Sequence, residues 1–394
     1  MQNSEDFTVY VLGAGASIGH TGGLFPSIMD FFAKARKLRI LGQQNELREF
    51  ASKQTGKDIF GEDCKINLED LLTTIEIEKE LRSSLPIEAT SAQALELIRQ
   101  LLNRLQLDFY DRMEHKDNKL PNEYDLLCAA LKPRDTIISF NWDTLLDNLL
   151  QREDILRHYY EHLADAKPLP DNQYLHSLIK LSGIGESTVD NIGYRPPYLD
   201  WSNQKGFYLK LHGSIDQFYC SNEGCRACQK MFPVLDSSQT DYRCSECSEQ
   251  MKLLIVPPVL NKNYRTSPPI RKAWNIATSE ISLASRLVIW GYSLPPTDFY
   301  VQWLLRNIDK TKLREVAIIN KGLVASLDRA NDPPGGKKLN RNLSQRFKSC
   351  LSGSSSENTT LSLYEIFSDY HEGKALKVKY SGPEHLQYWD EDFR

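Results

Sequence analysis

No stretch of the 394-residue chain approaches the ~20 consecutive apolar residues that a membrane-spanning helix requires. The opening segment, MQNSEDFTVYVLGAG, is acidic before it becomes apolar, the wrong order for a secretory leader. These two absences predict a cytoplasmic protein with no membrane association. A basic excess is also missing. The 48 Lys and Arg residues stand against 52 Asp and Glu, a net charge of −4, so no direct nucleic-acid binding is expected. Cysteine is sparse, with eight residues, too few for a disulfide scaffold. No internal repeat is visible. What remains is an ordinary globular balance, 41% hydrophobic and 25% charged, with enough apolar material for two or three domains of ~150 residues.

Thr8–Leu12 is a short β-branched and apolar run that ends in Gly13-Ala14-Gly15-Ala16-Ser17, the pattern of a buried strand entering a glycine turn. The next comparable run is Thr136–Phe140. Between them, Pro26–Arg39 and Ala92–Met113 carry apolar residues at helical spacing. An ordinary crossover takes about thirty residues, so Leu24 to Lys132 reads as a helical insertion. Further strands are predicted at Phe207–Leu211, Leu253–Val256, Leu287–Trp290 and Val316–Ile319. Each is short, apolar and followed by a polar or glycine-containing turn, which predicts an α/β fold on a mostly parallel sheet covered on both faces. Gln151–Gln204 carries loop signals at Pro168–Asp171 and Pro196–Pro197. Asp332–Gly336 and Ser352–Ser356 read as turns or connections.

A glycine turn after a first strand lets backbone N–H groups approach a phosphate, and Gly13, Gly15 and Ser17 are suitably placed. The third glycine, Gly19, falls one residue later than the dinucleotide fingerprint requires, and no acidic strand end follows. A tight strand–helix turn explains the loop equally well. Ser139-Phe140-Asn141-Trp142-Asp143 and Lys210-Leu211-His212-Gly213-Ser214 each close a predicted strand. Ligands of open α/β sheets bind beyond such carboxyl ends. An amide that orients water or ribose and an imidazole that takes a proton suit cleavage of a glycosidic bond. The plain alternatives are Asp143 as a helix N-cap and His212 as a structural histidine.

Five of the eight cysteines lie between Cys220 and Cys247. Cys225-x2-Cys228-x15-Cys244-x2-Cys247 has the spacing of a closed, structural four-thiolate zinc site. Polar and charged residues make up most of the interval between the knuckles, so metal rather than a core would hold this module, expected at 218–252. Cys220 competes for a place in the first knuckle. Cys64, Cys128 and Cys350 read as ordinary thiols.

Taken in order, Gly13-Ala14-Gly15-Ala16-Ser17, Asn141-Trp142-Asp143, His212-Gly213, the paired CxxC motifs, Gly291-Tyr292-Ser293 and Ile319-Asn320 resemble the sirtuin family over Thr8 to Asn320, the helical insertion apart. The resemblance implies a Rossmann-like NAD+-binding domain, residues 1–23 and 133–394, interrupted by the insertion at 24–132 and carrying a structural Zn2+ module. It implies that Gly13, Ala14, Gly15 and Ser17 hold the pyrophosphate. Asn141 and Asp143 would stand beside the nicotinamide ribose, His212 would be the general base, and Gly291, Ser293 and Asn320 would lie at the adenosine end. The chain departs from protein-deacylating sirtuins in two places. Gly22-Gly23-Leu24-Phe25-Pro26 replaces their Pro-Asp-Phe-Arg segment, and Trp142 replaces an aliphatic residue. Gly291-Tyr292-Ser293-Leu294-Pro295 looks more like the sirtuin-like NAD+ hydrolases of bacterial anti-phage defence. That likeness implies a homo-oligomer and a separate sensor such as a HerA-type ATPase. A protein deacylase or ADP-ribosyltransferase, and a non-catalytic NAD+- or ADP-ribose-binding module, are the other readings.

Overall fold

The computed structural model describes residues 6–150, 206–257 and 268–381, apart from 41–43, 60, 63–65, 83–84, 116–122, 133, 228–230, 234–241, 297, 327–336, 340–342, 344–345, 348–349, 352–359 and 375. Its strands are β1 (Thr8–Leu12), β2 (Thr136–Ser139), β3 (Tyr208–Lys210), β4 (Gly213–Tyr219), β5 (Met231–Pro233), β6 (Lys252–Ile255), β7 (Arg286–Trp290), β8 (Glu315–Ile319), β9 (Val324–Ser326), β10 (Lys337–Leu339), β11 (Thr360–Tyr364) and β12 (Leu376–Ser381). Seven of them form one sheet in the order β12-β11-β8-β7-β1-β2-β3. Every neighbouring pair in it is parallel except β11 with β12.

Side chains alternate across a strand, and here each alternate set is buried. Tyr10 and Leu12 of β1, with Ile137, Val288, Trp290, Ala317 and Ile319, enter one core. Val9 and Val11, with Ile138, Leu287, Ile289, Val316 and Ile318, enter the other. That is why these strands read as continuous apolar runs rather than alternating ones.

The first face is covered by the stretch between β1 and β2. It holds α1 (Ala14–His20), α2 (Phe31–Lys37), α3 (Asn45–Thr55), α4 (Leu68–Arg82), α5 (Leu85–His115) and α6 (Glu123–Ala130). Phe31, Leu47, Leu71, Ile98, Leu101 and Tyr124 join the same core as the strands, so these helices form a layer of the sheet domain. Helix α2 is shorter than Pro26–Arg39 because residues 28–30 form a turn before it and Leu38 and Arg39 form one after it. The Lys34 ammonium donates to the carbonyls of Gly23, Leu24 and Phe25 at 2.7, 2.8 and 2.7 Å. The other face is covered by α8 (Pro268–Leu283) and α9 (Phe299–Arg306), which contribute Ala273, Ala277, Ile281, Val301 and Leu304. Two short helices, α7 (Leu145–Leu150) and α10 (Phe367–His371), follow β2 and β11.

Leu253–Val256 corrects an expectation. Its strand, β6, belongs to a separate antiparallel sheet, β5-β4-β6. A backbone reversal at Gly213, with φ 74°, turns the chain out of the main sheet immediately after β3. An added Cβ at Gly213 would stand 1.8 Å from the Leu254 carbonyl oxygen, so β6 lies against that turn as only glycine allows. Strands β4, β5, β9, β10, β11 and β12 were not anticipated. The loop signals at Pro168–Asp171, Pro196–Pro197, Asp332–Gly336 and Ser352–Ser356 lie outside the described residues. No helix among the described residues is long and apolar enough to cross a membrane.

Candidate functional site

Chain order runs outward from β1 in both directions, through β2 and β3 on one side and β7 and β8 on the other. Carboxyl ends at such a reversal of strand order leave a crevice. The loops after β1 and β7 interlock there. Gly13 N–H donates to the Trp290 carbonyl at 2.9 Å, and Gly15 N–H donates to the Gly291 carbonyl at 2.8 Å. These two amides are therefore used within the protein, and the glycines serve close approach. A Cβ on Gly15 would meet Gly291 Cα at 2.7 Å, and one on Gly291 would meet Ala16 N at 2.0 Å. Gly291 also sits at φ 66°. Gly291→Ala should combine left-handed backbone strain with a backbone clash and cost roughly 3 kcal/mol or more. Gly23→Ala, at φ 88° with open space around it, should cost only ~1–2 kcal/mol. Denaturation midpoints compare the two, and a larger loss at Gly23 would contradict the interlock.

Asn141, immediately beyond β2, is buried. Its Nδ2 donates to the Gly13 carbonyl and to Ser17 Oγ, both at 3.0 Å, and lies 3.4 Å from the Tyr124 hydroxyl. The Ser17 hydroxyl donates to Asp143 Oδ2 at 2.7 Å. Asp143 Oδ1 accepts from the Leu145 amide at 3.2 Å, an Asx turn that leads into α7. Burial pushes the Asp143 carboxyl above its ordinary range, against the opposing pull of the Lys210 ammonium and the Ser17 hydroxyl. Lys210 spends its donors on the Asp143 carbonyl, Ser214 Oγ and Asp147 Oδ2, at 2.6, 2.8 and 2.9 Å. It thereby fastens the Asn141–Asp147 loop to β3.

His212 follows β3 and is also buried, with its ring 4.9 Å from that of Phe140. Its carbonyl accepts from Val256 N–H at 2.9 Å, which ties the residue to the small sheet. After β8, the Asn320 side chain donates to the Tyr292 carbonyl at 3.1 Å and accepts from Gly322 N–H at 2.8 Å. It braces the loop after β7. The Tyr292 hydroxyl donates to Asp298 at 2.6 Å, and Asp298 caps α9.

These loops enclose a cavity of about 370 Å³. Of the residues singled out in the sequence, Ala14, Gly15, Ser17, Asn141, Asp143, His212, Gly291, Ser293 and Asn320 line it, and Gly13 packs behind it against Tyr292. One wall comes from the helical insertion. Phe25, Ile28, Phe31, Leu68 and Leu102 of the helical stretch form an apolar side. Tyr124, behind Ser17, was missed because a tyrosine at helical spacing gives no signal beyond core packing.

A second centre lies at the tip of the small sheet. Cys220, Cys225, Cys244 and Cys247 bring their sulfurs within 4.8 Å of one another. The Cys220–Cys247 and Cys225–Cys244 separations are 3.5 and 3.7 Å. Zinc–thiolate bonds of ~2.3 Å in a tetrahedron give sulfur–sulfur edges of ~3.8 Å, so the four thiols fit zinc. Cys228, expected among the ligands, lies outside the described residues. Cys220, the competitor seen in the sequence, stands with the other three. The packing around them amounts to Phe218, Ala227 and Met251 with a few partly buried neighbours.

No family model and no curated protein matches the chain. Solved structures do align with it. A Sir2 complex with a p53 peptide and NAD+ is 14% identical over 93% of this chain and 91% of the other, with a TM-score of 0.33. A Sir2 bound to a propionylated peptide is 16% identical over 93% of each chain, with a TM-score of 0.30. A sirtuin structure solved in a study of substrate affinity is 15% identical over 80% of this chain and 83% of the other, again at 0.30. Superposition is poor at these scores. What stands on the chain's own geometry is an α/β protein with a mostly parallel sheet, a helical layer inserted between its first two strands, and a four-cysteine cluster.

Proposed function

We propose that this chain is an NAD+ hydrolase that cleaves the nicotinamide–ribose bond, and that it depletes NAD+ as an effector of anti-phage defence. The observation that carries the catalytic part is one cavity, at the reversal of strand order, that gathers Asn141, Asp143 and His212 beside the interlocked glycine loops. In the proposed reaction the C1′–N bond breaks with its electron pair going to nicotinamide, which leaves neutral. Water adds to the oxocarbenium-like ribose carbon. The proton lost from water passes to the His212 imidazole, so that NAD+ and water yield nicotinamide, ADP-ribose and a proton. Asn141 orients the ribose and the attacking water. A pyridinium departs as a neutral molecule and needs no acid, which is why an amide and an imidazole can replace the two carboxylates of ordinary glycosidases.

The apolar residues Phe25, Ile28, Phe31, Leu68 and Leu102 support water as the acceptor, because they line the cavity with the chain's own inserted stretch. Incubating purified protein with NAD+, with and without an acetylated peptide, should release nicotinamide and ADP-ribose without the peptide. Release only with the peptide would replace this reading by a deacylase. The defence role rests on the motif resemblance, and cellular NAD+ followed through phage infection tests it: levels that stay constant would rule it out.

A further inference from the structure

Proton counting around Ser17 gives a role to Tyr124, a side chain supplied by α6 of the inserted helical layer. Ser17 Oγ has three neighbours: Asp143 Oδ2 at 2.7 Å, the Tyr124 hydroxyl at 2.9 Å and Asn141 Nδ2 at 3.0 Å. The Ser17 hydroxyl donates to Asp143 Oδ2, so its single proton is spent there. The Tyr124 hydroxyl must then be the donor to Ser17. Burial pushes the Tyr124 phenol well above its ordinary range, which keeps that donor protonated. Asn141 in turn has two amide protons. One goes to the Gly13 carbonyl, and the other goes to Ser17 Oγ, with the Tyr124 oxygen as a more distant acceptor.

This arrangement holds the Asn141 amide one way round. Turning it over would set Oδ1 against the Gly13 carbonyl, acceptor against acceptor, and leave Ser17 without one of its donors. With both amide protons directed inward, Oδ1 is the atom left to meet a ligand, on the wall of the cavity. We propose that Tyr124 is a positioning residue: through Ser17 it fixes the Asn141 amide so that an acceptor oxygen meets a ribose hydroxyl of NAD+. The proposal rests on the NAD+ reading of the cavity. It makes the helical layer part of the site, since Tyr124 comes from α6 and its ring packs 5.2 Å from that of Trp290 of β7 and 4.6 Å from that of His20 of α1.

The test is NAD+ titration calorimetry on the full chain in a His212→Ala background, where turnover does not interfere. Tyr124→Phe keeps the ring and its packing and removes only the hydroxyl. It should weaken NAD+ binding about fivefold, the scale of one neutral hydrogen bond. In a His212→Ala, Asn141→Ala background the same change should alter affinity by less than about twofold, because the residue through which it acts is gone. Ser17→Ala should behave in the same way and guards against a folding defect particular to position 124. An equal loss in both backgrounds would mean that Tyr124 is merely structural, and no loss in either would mean that it has no role; each overturns the proposal. Absence of NAD+ binding in the His212→Ala chain overturns it too, since the ligand would be wrong. A native chain that binds NAD+ yet releases no nicotinamide would instead sink the hydrolase reading and leave the Tyr124 cycle standing.

Discussion

His212→Ala should lower NAD+ hydrolysis by ~10²–10⁴-fold, the usual cost of deleting a general base, with zinc content and the unfolding midpoint near those of the native chain. The argument begins with the backbone. His212 is held at the junction of two sheets by a carbonyl bond to Val256 and by the turn at Gly213, neither of which uses the imidazole. Removing the ring therefore leaves both anchors in place. Asn141→Ala should be comparably inactive, for a different reason. Its amide bonds to Gly13 and Ser17 fix where the amide sits, and without it ribose and water lose their common guide. The two losses should not add in full, because both act on one step. Product analysis by chromatography reads the two single variants and their combination. Native-rate hydrolysis by His212→Ala would remove the imidazole from the mechanism.

Much of this was legible in the chain, and the rest was hidden for identifiable reasons. Strands β1, β2, β3, β7 and β8 are apolar on both faces, so a short unbroken run followed by a turn was enough to reveal them. The same signal misplaced Leu253–Val256, because an apolar run says that a strand is buried and not which sheet buries it. Strand β11, TLSLY, alternates polar and apolar residues at its start and follows a serine-rich stretch, and so gave no such run. The strand-end residues of the cavity could be read because loops at carboxyl ends of parallel strands must converge. The particular residues of the helical wall, and Tyr124, could not. Their side chains reach the site by tertiary packing of helices whose sequences show only amphipathic periodicity. The glycine loop is equally readable as a phosphate cradle or as a tight strand–helix turn, and the Gly13 and Gly15 amides are taken by Trp290 and Gly291. Residue type indicated a close backbone approach without saying to what.

The cysteine cluster carries the second large effect. Purified protein should contain about one zinc per chain, and Cys220→Ser should reduce that to a small fraction. Cys228→Ser should leave it near one. Two knuckles of CxxC spacing would name Cys228 over Cys220, but the four thiols whose sulfurs stand within 4.8 Å of one another include Cys220 and already complete a tetrahedral set. Cys225, Cys244 and Cys247 belong to that set, so serine at any of them should behave like serine at 220. The effect should be large because little else holds the module: its core is a handful of side chains around Phe218 and Met251. Structural zinc supplies ~10–16 kcal/mol in small zinc-binding peptides, far more than such a core can replace. Loss of metal should therefore open the segment after Tyr219 to protease, which mass spectrometry of limited digests would locate. The consequence should reach the cavity, because β4 and β6 pair beside His212 and Val256 donates to its carbonyl. Stripping zinc with a chelator should thus reduce NAD+ turnover as well as protease resistance. Full zinc in Cys220→Ser together with none in Cys228→Ser would show that the first knuckle is the one its spacing suggests.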